Sequence, residues 1–119
     1  MLRVKDPVES VKFYRENFGF TLLHTRTFKQ MNFTLYFLAI LPEGDKCPPA
    51  GTQEAEDYLW KFKGVCLELT HNHGSEIDDN FRINNGNIEP SIGFSHIAVM
   101  HKNVHEASVE LEKNGVKFE

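Results

Sequence analysis

The chain has 119 residues, a formal net charge of −4, 40% hydrophobic residues and 25% charged residues. This balance is typical of one globular domain with a modest core, and it lacks the basic excess that nucleic-acid binding requires. The sequence has no apolar run near the roughly 18 residues of a membrane span. With only two cysteines and no visible signal peptide, it favours a cytoplasmic compartment.

The first half of the chain predicts a strand, a helix and two further strands. Asp6 and Pro7 form a helix start, as N-cap and first helical residue, and Gly19 is a C-terminal stop. The predicted strands are Leu2–Lys5, Phe20–Thr25 and Phe33–Ile40. Residues 41–58 contain three prolines and several glycines and acids, and they predict a long loop.

The second half predicts a similar but shorter series of elements. The predicted strands are Val65–Thr70, Ser95–Met100 and the beginning of one at Val116, and the predicted helix is Val104–Lys113. Residues 72–92 are polar and rich in Gly and Asn, which indicates another loop.

The order of strand, turn, helix, glycine and strand occurs twice in the chain. Val8 corresponds to Val104, and Gly19 corresponds to Gly115. The first copy continues to give βαβββ, whereas the second stops early. We therefore expect an α+β fold of paired βαβββ modules with the second incomplete. Such a chain is either part of a longer one or has its sheet completed by a partner.

Glu68 lies in the middle of an apolar strand, in the segment CLELT. Alternation along the strand gives two interpretations of Glu68: an exposed carboxylate on a solvated face of the sheet, or a metal ligand on a concave face of the sheet. An ionised carboxylate in an enclosed face requires a cation or a proton.

Histidines supply a second set of candidate ligands. His96, in the predicted strand Ser95–Met100, is either a hydrogen-bonded structural residue or a metal ligand. His71 and His73 lie two residues apart at the end of a strand. Histidines in loops are usually solvated, so this pair ranks below Glu68 and His96 as candidate metal ligands.

Five blocks of the sequence together resemble glyoxalase I, the lactoylglutathione lyase family of the vicinal-oxygen-chelate superfamily. They are LRVKDPVESVKFYRENFGFTLL, FTLYFLAIL, CLELTHNHGSE, INNGNIEP and GFSHIAVM, and they occur in the family's order. The resemblance covers nearly the whole chain. It implies paired βαβββ modules, with residues 1–71 as the first, 72–93 as a connecting loop and 94–119 as the start of the second.

The resemblance also implies an activity and its site residues. Family enzymes isomerise the hemithioacetal of methylglyoxal and glutathione to S-lactoylglutathione through an enediolate that a metal stabilises. By position, Glu68 and His96 would be metal ligands, and Arg3 and Asn72 would bind glutathione. Phe28, Leu35 and Phe37 would line the apolar substrate pocket, although plain core packing explains them equally well. The long segment 41–58 resembles the eukaryotic type of the family, which favours Zn²⁺ over Ni²⁺. The resemblance also implies that the full-length protein is a homodimer with shared sites.

The sequence also departs from the family pattern. The family's first metal ligand lies upstream of LRVKDP, and its glutamate base lies on a later strand, so neither has a match here and no catalytic residue is assigned. Ile92 stands near the position of a glutathione-binding arginine. We therefore expect the 119 residues alone to be inactive. The alternative function is a non-catalytic binding or interaction module of the same superfamily.

Overall fold

The computed structural model describes residues 1–118 and divides into two compact units, Met1–Ile83 and Asn84–Glu119. In the first unit the elements are β1 (Leu2–Val4), α1 (Pro7–Phe18), β2 (Thr21–Phe28), β3 (Phe33–Ala39), α2 (Gln53–Lys61) and β4 (Leu67–Asn72). The second unit contains α3 (Val104–Lys113). The predicted α+β class is confirmed, and apart from α2 the first unit has the predicted βαβββ order.

The four strands form one sheet in the order β1-β4-β3-β2. β1 runs parallel to β4, while β3 is antiparallel to both β4 and β2. The parallel pair requires a long crossover, and α1 begins that connection. β4 is therefore an inner strand, and on it Glu68 is paired with Phe37 of β3.

Helix α1 begins and ends as its sequence predicts. The Asp6 side chain accepts hydrogen bonds from the backbone N–H groups of Val8, at 2.8 Å, and Glu9, at 3.2 Å. Gly19 takes the left-handed conformation at φ 68° and donates its N–H to the Arg15 carbonyl, a conformation that glycine adopts without a Cβ penalty.

Replacing the cap by Asp6→Ala leaves two N–H groups of the first turn without their side-chain acceptor. We expect the free energy of unfolding to fall by about 1 kcal/mol, measured by urea denaturation. Asp6→Asn keeps an acceptor oxygen and is the matched control. Equal losses in both variants would show that the charge of Asp6, and not its cap, stabilises the helix.

The core lies within the sheet and under its two flanking helices. Its fully buried residues are Leu23, Leu38, Ala39, Ala55 and Leu69. A groove of about 870 Å³ between α1 and the sheet is lined in part by Val11, Leu22 and Tyr36. Since Leu22 and Tyr36 share one face, α1 lies against that face, which we call the helix face.

The prediction of a loop over residues 41–58 is wrong in its last third, because α2 begins at Gln53. The Thr52 hydroxyl accepts from the Ala55 backbone N–H at 3.2 Å and caps the helix. Ala55 is fully buried, and α2 packs against β2. The proline- and glycine-rich part of the segment ends just before this cap, so the predicted loop included the first turns of α2.

Two strand predictions in the second half are also wrong. Within residues 84–118 no strand is formed, so neither 95–100 nor 116–118 is extended into a sheet. A strand is stabilised by a hydrogen-bonded neighbour, and local alternation cannot supply one. β4 also lies two residues later than predicted, from Leu67 to Asn72, and Val65 is 90% exposed. Among the helices of the described residues, none is long and apolar enough to cross a membrane.

Candidate functional site

One face of the sheet carries every predicted site residue of the first unit. Side chains alternate along a strand, and directly paired residues share a face. We call this the Glu68 face, opposite the helix face. The register gives its members as Arg3 of β1; His24, Arg26 and Phe28 of β2; Phe33, Leu35 and Phe37 of β3; and Glu68, Thr70 and Asn72 of β4.

Arg3 and Asn72 contact each other at one side of this face. Arg3 Nη1 donates a hydrogen bond to Asn72 Oδ1 at 3.0 Å. The bond fixes one edge of an exposed guanidinium and leaves its other N–H donors available. A guanidinium held in this way is suited to binding a carboxylate.

Glu68 is half-buried and pairs with Phe37 across β3 and β4. It therefore lies neither in the core nor fully in solvent. No basic side chain of the described residues 1–118 forms an ion pair with it. A partly buried carboxylate without a protein counter-charge fits the requirements of a cation ligand.

His96 belongs to the second unit and is exposed. Its Nδ1 lies 2.9 Å from Ser95 Oγ. That hydrogen bond orients the ring and leaves Nε2 available, the arrangement usual for a metal-binding imidazole. Considering residues 1–118, no group of three or more His, Cys, Asp or Glu side chains is assembled for a metal ion.

His71 and His73 are both taken up by protein partners. His71 is buried, and its Nε2 lies 2.7 Å from Glu76 Oε2. His73 Nε2 lies 2.8 Å from Thr34 Oγ1. The pKa of Glu76 is lowered mainly by a hydrogen bond from the Glu76 backbone N–H. The hydrogen bond from His71 is the second cause. These contacts give both histidines a structural role, in keeping with their lower rank as ligands.

Three further residues of the Glu68 face were missed by the sequence analysis: His24, Arg26 and Phe33. Counting backwards in twos from Phe28 would have found Arg26 and His24, because β2 alternates regularly there. His24 is 5% exposed, and its Nδ1 has no hydrogen-bond partner among the described residues. Phe33 stacks on Phe28 with ring centroids 4.7 Å apart.

The two cysteines lie outside the strands that form the Glu68 face. Cys47 and Cys66 are unpaired and half-buried. Burial raises the pKa of the Cys66 thiol, which lowers the fraction present as reactive thiolate. The Glu68 face itself offers carboxylate, imidazole and guanidinium groups.

Known proteins with similar sequences carry the names of one enzyme. The chain is 45% identical over 117 residues to glyoxalase I of Saccharomyces cerevisiae, covering 98% of this chain and 34% of that protein. It is 40% identical over 119 residues to lactoylglutathione lyase of Pseudomonas putida, covering 100% of this chain and 66% of that protein. The chain thus spans about a third of the first relative and about two thirds of the second.

Solved structures that are similar to this fold also carry the name glyoxalase I. The trypanothione-dependent glyoxalase I of Leishmania major matches with a TM-score of 0.66 at 25% identity, over 100% of this chain and 68% of that one. A glyoxalase I variant from Zea mays matches with a TM-score of 0.62 at 25% identity, over 96% of this chain and 31% of that one. The family model described as the Glyoxalase/Bleomycin resistance protein/Dioxygenase superfamily matches residues 1–119. The chain belongs to this superfamily, and the relatives it resembles are glyoxalase I enzymes.

Proposed function

We propose that the chain supplies one βαβββ module, and part of a second, to a lactoylglutathione lyase. The reaction would be isomerisation of the methylglyoxal–glutathione hemithioacetal to S-lactoylglutathione. The observation that supports this proposal is the sharing of the Glu68 face by the candidate metal ligand, the candidate glutathione contacts and the candidate apolar pocket. Their placement follows from strand register, which is independent of the resemblance that first selected them.

Substrate binding is assigned to two parts of the Glu68 face. Arg3, oriented by Asn72, would pair with a carboxylate of glutathione. Phe28, Leu35 and Phe37 are half-buried on neighbouring strands, so each keeps apolar surface that a bound substituent could cover. Such a division, with a cation at one side and apolar side chains beyond it, suits a polar thiol conjugate with an apolar acyl-side group.

The donor chemistry fits a divalent metal, and we propose Zn²⁺ in preference to Ni²⁺. Glu68 would provide a carboxylate oxygen and His96 an imidazole nitrogen. The ion, when bound, would stabilise negative charge that develops on the substrate oxygens. Glu68 itself would orient the ion from the inner strand β4, where it is paired with Phe37 of β3.

Assembly and location complete the proposal. We assign residues 1–71 to the first module, 72–93 to a connecting loop and 94–119 to the start of the second. By its resemblance to the family, the full-length protein would be a cytoplasmic homodimer with shared sites.

A non-catalytic binding module is the second candidate function. It is favoured by Ile92, which stands near the position where the resemblance implies a glutathione-binding arginine. A binding module would retain a ligand pocket and show no turnover in any assembled form. Activity of a complete enzyme containing this sequence therefore separates the two functions.

We expect Arg3→Met to weaken binding of S-hexylglutathione by about 10- to 100-fold. The variant removes a charge-assisted hydrogen bond, typically worth about 1.5–3 kcal/mol, and keeps a side chain of similar length. Nuclear magnetic resonance titration is the suitable measurement. Because Ile92 stands near the position where the resemblance implies an arginine, we expect the affinity of the unaltered chain for S-hexylglutathione to be weak. Arg15→Met, an exposed change on α1, is the matched control. Unchanged affinity in Arg3→Met would remove Arg3 from the site.

A further inference from the structure

Arg26 occupies a place in the Glu68 face that the proposed function does not use. The register aligns Arg3 with Thr70, Thr70 with Leu35 and Leu35 with Arg26. These residues form one row across all four strands, with an arginine at each end. Three strand spacings of about 4.8 Å separate the two arginine Cα atoms by about 14 Å. The row thus has a cation at each end, with Thr70 and Leu35 between them.

The Arg26 side chain is held over the aromatic part of this face. Its Cζ lies 5.5 Å from the centroid of the Phe28 ring, a cation–π contact. Phe28 is in turn stacked on Phe33. The guanidinium is therefore positioned beside the apolar pocket that was assigned to the acyl-side group of the substrate.

The existing partner of Arg26 leaves it available to a ligand. Arg26 Nη1 lies 3.6 Å from Glu56 Oε1 of α2, beyond hydrogen-bond distance, and the Arg26 side chain is 48% exposed. Exposed ion pairs of this length contribute little to stability. An anion that makes direct hydrogen bonds can therefore replace or share this contact.

We propose that Arg26 is a specificity-determining residue that selects substrates with an anionic group at the far end of the acyl-side substituent. The substrate class is an extended glutathione conjugate: a glutathione carboxylate at Arg3, an apolar segment over Leu35 and Phe28, and a second carboxylate at Arg26. This inference rests on the proposed function, since it takes glutathione binding at Arg3 as given. Leu35 and Phe28 supply affinity for the middle of the ligand, while Arg26 supplies discrimination between neutral and anionic ends.

The test compares two ligands of matched length, S-hexylglutathione and S-(ω-carboxypentyl)glutathione, by nuclear magnetic resonance titration at neutral pH. The wild-type chain is expected to bind the carboxylate ligand about tenfold more tightly than the neutral one. Arg26→Met should abolish this preference and leave the neutral ligand almost unaffected. Arg15→Met should retain it.

A second variant tests the same site by changing Glu56, the ion-pair partner of Arg26. Glu56→Gln removes the competing carboxylate and keeps the size of the side chain, so the preference for the anionic ligand should increase. Equal weakening of both ligands by Arg26→Met would overturn the proposal, because Arg26 would then contact the glutathione part. Equal affinity of the wild type for both ligands would also overturn it while leaving the proposed function intact. Failure of both ligands to bind would overturn the glutathione site at Arg3 and this inference with it, whereas activity of a complete enzyme tests the proposed function separately.

Discussion

A polypeptide of residues 1–119 supplied with Zn²⁺ is expected to form no measurable S-lactoylglutathione. Its sequence provides two candidate ligands, Glu68 and His96, whereas catalytic zinc usually has at least three protein ligands. No residue of the chain matches the glutamate base that the resemblance implies, and general acid–base catalysis contributes about 10²–10⁴-fold. The loss of rate should be at least that large, measured as product formation from methylglyoxal and glutathione.

A chimera provides the matched comparison for this assay. In it, residues 1–119 replace the matching segment of the Pseudomonas putida relative, which supplies the remaining third of an intact enzyme. We expect the chimera to be active and its Glu68→Gln variant to lose activity, whereas Glu54→Gln on the exposed side of α2 should not. Activity of the 119 residues alone near that of the chimera would show that the catalytic base lies within this chain.

Leu69→Ala is expected to lower the free energy of unfolding by about 2–5 kcal/mol. Leu69 is fully buried on the inner strand β4, where it pairs with Leu2 on one side and Tyr36 on the other. Truncation leaves a cavity between the sheet and α1 that neighbouring strands cannot fill by sliding. Since whole domains are stable by only about 5–15 kcal/mol, this one change removes a large part of the total.

Urea denaturation followed by circular dichroism measures this effect. The urea concentration at the midpoint of unfolding should fall. The slope of the unfolding free energy against urea concentration should stay constant, because the surface exposed on unfolding changes little. Val65→Ala is the matched control, since Val65 is 90% exposed and lies just before β4; its effect should stay within about 0.5 kcal/mol. A loss below 1 kcal/mol for Leu69→Ala would mean that the sheet repacks around the cavity.

Local sequence signals were sufficient where the determining contacts are local. The start of α1 depends on Asp6 and Pro7, its end on Gly19, and the hairpin strands on regular alternation, and all were predicted within a few residues. The resemblance selected the candidate site residues of the first unit, and the register shows that these residues share one face. Helix α2 was missed because its cap at Thr52 follows directly on a segment of loop composition.

By itself, the sequence determined the boundaries of α1 and α3, the alternation of the strands in the first unit and the family to which the chain belongs. Only the tertiary structure decided which strands are neighbours. The parallel pairing of β1 with β4 brings Arg3 to Asn72, residues far apart in the chain, and the same register aligns Arg26 with Leu35. It also decided that residues 95–100 form no strand, although their alternation predicted one. The physical reason is that alternation specifies which way side chains point, whereas a strand exists only where another strand is present to share its backbone hydrogen bonds.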